Sequence, residues 1–398
     1  MTAVVATPAA RTDWLAVTVV VASGIVAALQ VGKAAIAMPL VQAEFGLDLG
    51  TLGWLASIFS VLGMVGGIPV GTLAISLGAR RVLLLGLLAV ALGAFLGASA
   101  PRFPMLLGSR VVEGLGFLLI TIAAPAILQR VASSAQRDIV MALWSCFMPT
   151  GIALAMLAGL WLTDWRMIWQ VTGVLAAIAI VLTVLTVPNT SGGARPSWAA
   201  LAGDAGAVLG ARGPALLGLI FALYALMFFA LFNFLPVLLM QRMQVSLATA
   251  GLLGALASAV NIIGNLTAGL LLARGASRVS LIVAASLVMG LSAIGIFLGL
   301  LPDSATFLLC VLFSMVGGII PATLLSSAPV LAPAAGLTPV VIGLLMQGSN
   351  LGQVVGPVAI GSVIEAFGWP SAAGLVGGAA VIAILTALGL RSAPGRKV

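Results

Sequence analysis

The sequence contains no histidine, and its nine aspartate and glutamate residues stand against seventeen lysines and arginines. The absence of histidine excludes histidine-ligated metal sites and proton relays that pass through an imidazole. Cysteine is scarce as well, because only Cys146 and Cys310 occur and each lies in an apolar stretch. Two such residues define no disulfide or metal framework, and we expect both to be packing residues. We therefore expect no metal and no cofactor.

Charged residues make up only 7% of the chain, whereas hydrophobic residues make up 62% and the mean hydropathy is +1.28. This composition is typical of polytopic membrane proteins. We predict an all-α polytopic membrane protein with about twelve transmembrane helices in two pseudo-symmetric six-helix bundles. The predicted spans are Trp14–Met38, Thr51–Ile75, Val82–Ala100, Pro104–Gln129, Ile139–Leu162, Ile168–Val187, Pro214–Met240, Ala248–Ala273, Val279–Leu300, Ala305–Leu331, Val340–Ala366 and Ser371–Leu390.

The longest polar interval separates six predicted spans from six others. The three predicted parts are an N-terminal bundle at 1–187, a cytoplasmic linker at 188–213 and a C-terminal bundle at 214–398. The linker is either a short interfacial helix or a loose connection. The two halves resemble each other, since Pro39 aligns with Pro236 and Trp165 aligns with Trp369. Internal repeats of this kind are frequent in secondary transporters.

The cations are distributed unevenly between the two sides of the predicted membrane. With a cytoplasmic N-terminus, the inner side holds Arg11, Arg80, Arg81, Arg130, Arg137, Arg195, Arg212, Arg274, Arg278, Arg391, Arg396 and Lys397, and the outer side holds Arg102, Arg166 and Arg242. This bias predicts that both termini are cytoplasmic and that the protein lies in a bacterial inner membrane. It also explains the net charge of +8 without a nucleic-acid partner.

Three charged residues interrupt the apolar spans of the first half. Arg110 and Glu113 in the fourth span are three residues apart, which places them on one helical face that continues to Phe117. Lys33 lies in the first span, with Gln30 three residues before it on the same face. Counting from the middle of each span places Lys33 and Arg110 at the same depth, roughly 10 Å toward the outer surface. A charge at this depth is costly and indicates a function or a buried partner.

Two interpretations of this charged layer stay open. In the functional one, Lys33 and Arg110 attract an anionic substrate while Glu113, or Lys33 itself, changes its protonation during transport. In the structural one, Glu113 neutralises one cation in a closed triad that holds helices together. One net positive charge remains in both cases, and a bound anion would neutralise it.

The second half offers polar but uncharged candidates for substrate binding. Tyr224 and Asn233 lie in the seventh span, and Gln347 and Asn350 lie on one face of the eleventh. Amide groups in a hydrocarbon layer need partners, so we expect these side chains to face the interior. Each could equally serve to hold neighbouring helices together. From the first half, Phe117 is a candidate wall of a central cavity, with simple helix packing as the alternative.

The chain resembles the major facilitator superfamily along essentially its whole length. The loop GTLAISLGARR at residues 71–81 is similar to the family's first loop motif, although Ile75 stands where the family usually has an aspartate. The family's arginine-centred motif in span four is matched by Leu106, Arg110, Glu113, Gly114 and Gly116. Span five lacks the paired GP and GG pattern of antiporters in this family. The short helices and the Gly-Pro pattern of span eleven resemble bacterial cyanate, nitroimidazole-type and related anion carriers.

We therefore predict a secondary active transporter, and not an enzyme, that moves a small organic or inorganic anion by alternating access. Proton coupling is expected through Glu113 and Lys33, and the expected partners are the anion, protons and membrane lipid, with the chain acting as a monomer. The sequence has no nucleotide-binding loop, which argues against drive by ATP. The alternatives are an exporter of hydrophobic drugs or metabolites and a membrane sensor that transports nothing.

Overall fold

The structure, a computed structural model, describes residues 11–47, 49–158, 161, 164–189 and 198–392, and these residues are almost entirely helical. The first half contains α1 (Trp14–Phe45), α2 (Leu49–Leu77), α3 (Ala79–Ala98), α4 (Phe103–Val131), α5 (Arg137–Ser145), α6 (Phe147–Ala158) and α7 (Trp165–Thr186). After α8 (Trp198–Leu209), the second half contains α9 (Arg212–Phe232), α10 (Leu235–Met243), α11 (Leu247–Ala259), α12 (Asn261–Ala273), α13 (Arg278–Phe297), α14 (Asp303–Gly317), α15 (Ile319–Leu331), α16 (Thr338–Phe367) and α17 (Ser371–Gly389). Short 3₁₀ turns lie at Ala335–Leu337 and Leu390–Ser392.

The helical segments confirm the fold class predicted from composition. In the part of the chain that the structure describes, eleven stretches are long and apolar enough to cross a membrane, and three of these consist of two consecutive helices: α5 with α6, α11 with α12 and α14 with α15. The remaining predicted span corresponds to α2, which has an apolar segment at Ser57–Gly71. Of the two alternatives for the linker, a short helix or a loose connection, residues 198–209 form the helix α8. Residues 190–197 lie outside the described part of the chain.

Three of the predicted spans are broken, each of them four residues before a proline. The last helical residue and the proline are Ser145 and Pro149, Phe232 and Pro236, and Gly317 and Pro321. Proline has no N–H to bond the carbonyl four residues earlier, and its ring crowds that carbonyl, so the helix is interrupted there. At these positions each predicted span is therefore formed by two consecutive helices. A fourth break, at Val260, has no such proline.

The two halves meet along two pairs of helices, because α2 lies along α16 and α6 lies along α11. On the side where α1 begins, a methyl group added to Gly71 would lie 2.7 Å from the carbonyl oxygen of Pro339. On the opposite side, a methyl group added to Gly251 would lie 3.4 Å from the carbonyl oxygen of Met156. The halves therefore contact each other on both sides of the membrane midplane, and glycine permits the closest approach.

Large apolar side chains cover the outer surfaces of both halves. On α7, the exposed ones recur on one face at Val171, Val174, Ile178, Val181 and Leu185. Continuous apolar surface of this kind belongs in the hydrocarbon layer and not in water. The protein is therefore a multi-pass membrane protein, with its polar groups turned inward.

An ion pair joins α1 to α7 on the side opposite to the chain termini. Arg166 donates two hydrogen bonds to the Glu44 carboxylate, at 2.7 Å and 2.6 Å, and the indole N–H of Trp165 donates to the same carboxylate at 2.6 Å. The hydrogen bond from Arg166 holds the pKa of Glu44 below its usual value. Both side chains of the ion pair are partly exposed, so the pair stabilises the fold only weakly.

Candidate transport site

The three charged residues predicted to share one layer do meet, inside the first half. The Lys33 ammonium donates to Glu113 Oε1 at 2.6 Å and to the Thr172 hydroxyl at 3.1 Å. It also lies 4.5 Å from the centre of the Trp169 ring, a cation–π distance. Helices α1, α4 and α7 thus converge on one carboxylate, and the side chains of Lys33 and Glu113 are completely buried.

Arg110 approaches the same carboxylate from the other side. One terminal nitrogen of its guanidinium is paired with Glu113 Oε2, and Nε donates to the Leu55 carbonyl at 3.1 Å. The guanidinium lies 4.5 Å from the centre of the Phe59 ring. Its second terminal nitrogen has no hydrogen-bond partner among the residues that the structure describes. The triad therefore contains two cations and one anion, and Glu113 lies between the cations as in the structural interpretation. The second terminal nitrogen of Arg110 is the donor that remains without an acceptor in the described structure.

Between the halves lies a separate central cavity of about 60 Å³. The first half contributes mainly aromatic and apolar walls, including Phe117, Thr121, Trp144, Phe147 and Met148. The second half contributes Phe221, Tyr224, Phe228, Asn261, Ser349 and Asn350. Among the described residues, no lysine, arginine, aspartate or glutamate lines this cavity. The space is enough for a few water molecules, so a larger solute requires the halves to move apart.

Aromatic rings form two opposing walls of the cavity. On one side, Trp144 and Phe147 are stacked with centroids 4.4 Å apart. On the other side, the Tyr224 ring lies 5.8 Å from the Phe228 ring. The polar lining residues include Asn261, whose side chain is held in place by the backbone, because its Nδ2 donates to the Ser314 carbonyl at 2.7 Å. The chemical character of the lining therefore suits an apolar solute that has a small number of uncharged polar groups, once the halves have moved apart.

The charged triad and the cavity are connected through aromatic contacts. The Phe59 ring, which lies against Arg110, is 5.1 Å from the Phe117 ring, and Phe117 lines the cavity. Phe117 also follows Glu113 by one helical turn on α4. Two packed rings therefore join the triad to the cavity wall.

The predicted substrate contacts fall into two groups. Phe117, Tyr224 and Asn350 line the central cavity. Gln347 instead donates to the Met64 and Val65 carbonyls of α2, at 3.3 Å and 3.0 Å, so it belongs to the contact between the halves.

The other predicted contacts lie away from the lining. Asn233 is the C-cap of α9 and is not part of the cavity wall. Gln30 is buried beside the triad on α1 and donates to the Val26 carbonyl at 2.9 Å, while its side-chain oxygen has no partner among the described residues. Sequence reasoning missed Met148, Phe228 and Ser349. Of these, Phe228 carried a usable signal, because it follows Tyr224 by one helical turn.

Two helical bundles that enclose a central cavity, with a buried triad of ionisable side chains beside it, are typical of membrane transporters. The profile of the Major Facilitator Superfamily matches residues 20–346. The chain belongs to this superfamily, whose members are transporters and not enzymes.

Similar proteins include symporters and efflux pumps. The arabinose-proton symporter of Escherichia coli (strain K12) is 29% identical over 183 residues, which is 45% of this chain and 37% of the symporter. The multidrug efflux pump LfrA of Mycolicibacterium smegmatis is 27% identical over 147 residues, or 37% of this chain and 29% of the pump. The matched segments thus span little more than a third of the symporter and less than a third of the pump.

A solved structure covers nearly the whole fold. The human organic anion transporter MFSD10 (TETRAN) superposes with a TM-score of 0.78, covering 94% of this chain and 99% of that protein at 20% identity. The likeness confirms the fold with two bundles.

Proposed function

We propose that the protein is a proton-coupled secondary transporter of a small, uncharged and largely apolar solute. The observation that carries this proposal is the separation of charge from cavity. The charged groups of the membrane interior are paired in the triad of Lys33, Arg110 and Glu113, whereas the described lining of the central cavity is uncharged. An uncharged lining favours the alternative of a hydrophobic solute over the predicted anion, because an anion there would lose its hydration without gaining a counter-charge.

The triad supplies a physical basis for proton coupling. Adding a proton to Glu113 would leave Lys33 and Arg110 close together in the buried interior with no anion between them. Such an arrangement is costly, so the side chains must separate or admit water. The rings of Phe59 and Phe117 pass that movement to the cavity wall. Related proteins named as arabinose-proton and galactose-proton symporters support this role of protons.

An anionic solute is the second candidate, and one observation favours it. The triad keeps a net positive charge, and one terminal nitrogen of Arg110 has no partner in the described part of the chain. An anion could complete this site if the triad opened toward the cavity. Direct pairing to the solute would then make Lys33 and Arg110 essential for binding and not only for coupling.

We further propose a monomer in a bacterial inner membrane with both termini in the cytoplasm and bundles at 1–187 and 214–398 joined by 188–213. The bias of arginines toward the side of the termini supports the orientation. A monomer is sufficient because both halves of the cavity come from one chain.

Transport assays in proteoliposomes separate the two candidate solutes. Labelled small neutral aromatic compounds and labelled small carboxylates are tested for exchange and for uptake driven by a pH gradient. We expect accumulation of neutral compounds only when the gradient is present. Accumulation of carboxylates alone would overturn the proposal of an uncharged solute, and accumulation that ignores the gradient would overturn proton coupling.

A cavity-filling variant tests the location of the site. Ser349 lines the cavity on α16, so Ser349→Phe should abolish both exchange and uptake. Ser362→Phe is the matched control, because Ser362 lies on the exposed surface of the same helix. Full transport by the Ser349 variant would place the solute path elsewhere.

A further inference from the structure

A second and larger cavity lies at the end of the second half that is opposite to the chain termini. It measures about 380 Å³, within the range of small-molecule sites, and is lined by side chains from α10, α13 and the segments that follow α13 and α16. Leu238, Phe297 and Trp369 form most of its apolar wall, and Arg242 is its charged residue. This cavity shares no described lining residue with the central cavity.

Arg242 is held in place at the cavity edge by the backbone. Its terminal nitrogens donate to the Ile296 carbonyl at 3.2 Å and to the Leu301 carbonyl at 2.7 Å. Its Nε lies 3.4 Å from Asp303 Oδ1, and the Asp303 side chain is 54% exposed. A guanidinium has five N–H groups, so these three contacts leave one free N–H on each terminal nitrogen within the described structure. A fixed pair of donors and an adjacent exposed carboxylate therefore stand side by side.

The surroundings of the cavity are apolar and not aqueous in character. Leu300 is 81% exposed and follows Gly299 of the cavity wall, and Phe367 is 78% exposed two residues before Trp369. Large apolar side chains exposed beside a tryptophan at a helix end are typical of the zone where lipid headgroups meet hydrocarbon. We therefore infer that the mouth of the cavity lies in this zone.

The matching position in the first half is filled by protein. Trp165, which aligns with Trp369, packs against Trp169 with ring centroids 5.3 Å apart, and Arg166 follows it and pairs with Glu44. In the second half, Pro370 follows Trp369 and supplies no charge. The open cavity is therefore a feature of the second half and not of the fold repeat.

We propose that this cavity binds a phospholipid with a zwitterionic aminoalkyl-phosphate headgroup, phosphatidylethanolamine being the probe. The phosphate accepts the two free N–H groups of Arg242, a geometry that suits a guanidinium. The ammonium of the headgroup pairs with Asp303, and the beginning of an acyl chain lies against Leu238, Phe297 and Trp369. The cation, the neighbouring anion and the apolar wall of the site thus face the phosphate, the ammonium and the acyl chain of this lipid, respectively. The inference does not depend on the transported solute.

Lipid retention measured by native mass spectrometry tests the site. The full-length protein is reconstituted into nanodiscs that contain equal amounts of phosphatidylethanolamine and phosphatidylglycerol. The mass of the protein released from the nanodiscs is then measured together with any lipid that stays bound. We expect one retained phosphatidylethanolamine, preferred about tenfold over phosphatidylglycerol, a difference of one decade in the binding constant. Equal retention of the two lipids by the wild-type protein would overturn the proposal.

Four variants assign the retention to this cavity. Arg242→Gln removes the phosphate donors and Leu238→Trp fills the apolar wall, so both should abolish retention. Asp303→Asn should remove the preference for phosphatidylethanolamine while phosphatidylglycerol is still held, which keeps the test valid if the Arg242 variant fails to fold. Arg102→Gln, an exposed arginine outside this cavity, is the control and should behave as wild type. Retention by both cavity variants would contradict the site.

A soluble competitor separates a lipid site from a site for the free headgroup. Phosphoethanolamine carries the same charges without an acyl chain, so it should fail to displace the lipid at equal concentration. Displacement at equal concentration would show that the apolar wall contributes nothing, and the site would then not be a lipid site.

Discussion

Removing Glu113 alone should destabilise the protein far more than removing the whole charged triad. The Glu113→Gln substitution leaves Lys33 and Arg110 buried without a counter-charge, and breaking a buried ion pair in this way costs about 3–5 kcal/mol. Replacing Lys33, Arg110 and Glu113 together with methionine removes every desolvated charge. Substitutions of that kind are neutral or stabilising by about 1–4 kcal/mol.

The partners left behind by the triple substitution remain satisfied. The Thr172 hydroxyl, which accepts from Lys33, still donates to the Trp169 carbonyl at 3.1 Å. The Leu55 carbonyl lies within α2 and keeps its helical hydrogen bond. The triple variant should therefore fold, although it lacks the groups that we propose to carry protons.

A thermal scan with a thiol-reactive fluorogenic dye measures the difference. Cys310 is completely buried, so it reacts only when the protein unfolds. For a unit of 150–250 residues, a loss of 3 kcal/mol corresponds to a fall of at least about 6 °C in Tm. We expect this fall for Glu113→Gln and none for the triple variant. An equal fall in both, or none in the single variant, would refute the account of the triad.

Three further predictions concern coupling, closure and the ion pair of α1 with α7. Phe59→Ala should keep solute exchange but lose most uptake driven by a pH gradient, because it interrupts the aromatic contact between triad and cavity; equal loss of both activities would contradict that role. Gly71→Val should overpack the contact of α2 with α16, at a cost of about 1–3 kcal/mol, and should favour the state that is open on the side where α1 begins. Thiol labelling of that side measures the shift. Gly108→Val is the control, because a methyl group added there meets no neighbouring atom and should leave the labelling unchanged. The lowered pKa of Glu44 stabilises the folded state above the ordinary carboxyl pKa, and this effect is lost as pH falls through the folded value, so Glu44→Gln should lower Tm slightly at pH 7 and by less as the pH is lowered. A difference in Tm that does not shrink as the pH is lowered would show that the Glu44 contribution is not electrostatic.

The sequence was sufficient for the fold class and for the depth of the charged layer. Long apolar runs predict spans, because a bilayer requires about 20 such residues. Counting along two antiparallel spans placed Lys33 and Arg110 at one height, and the structure brings both onto Glu113. Counting residues along a span does not give the rotation of the helix about its own axis, however. It therefore could not show whether Glu113 lies between the two cations or leaves them accessible to an anion.

The cavity itself could not be predicted. Its lining comes from helices far apart in the chain, and a residue such as Met148 looks like an ordinary packing residue in an apolar run. The helix breaks had only a partial local signal. Pro149, Pro236 and Pro321 each lie four residues after a break, but Pro69, Pro125, Pro329 and Pro357 lie inside unbroken helices, so a missing N–H donor does not by itself identify a break.

The uncharged cavity has a consequence for the energetics of accumulation. A neutral solute contributes nothing to the current, so each proton that accompanies it moves one net elementary charge across the bilayer. At a membrane potential of 100 mV, that charge is worth about 2.3 kcal/mol in addition to any pH difference. The voltage alone can therefore concentrate such a solute by roughly fifty-fold per proton.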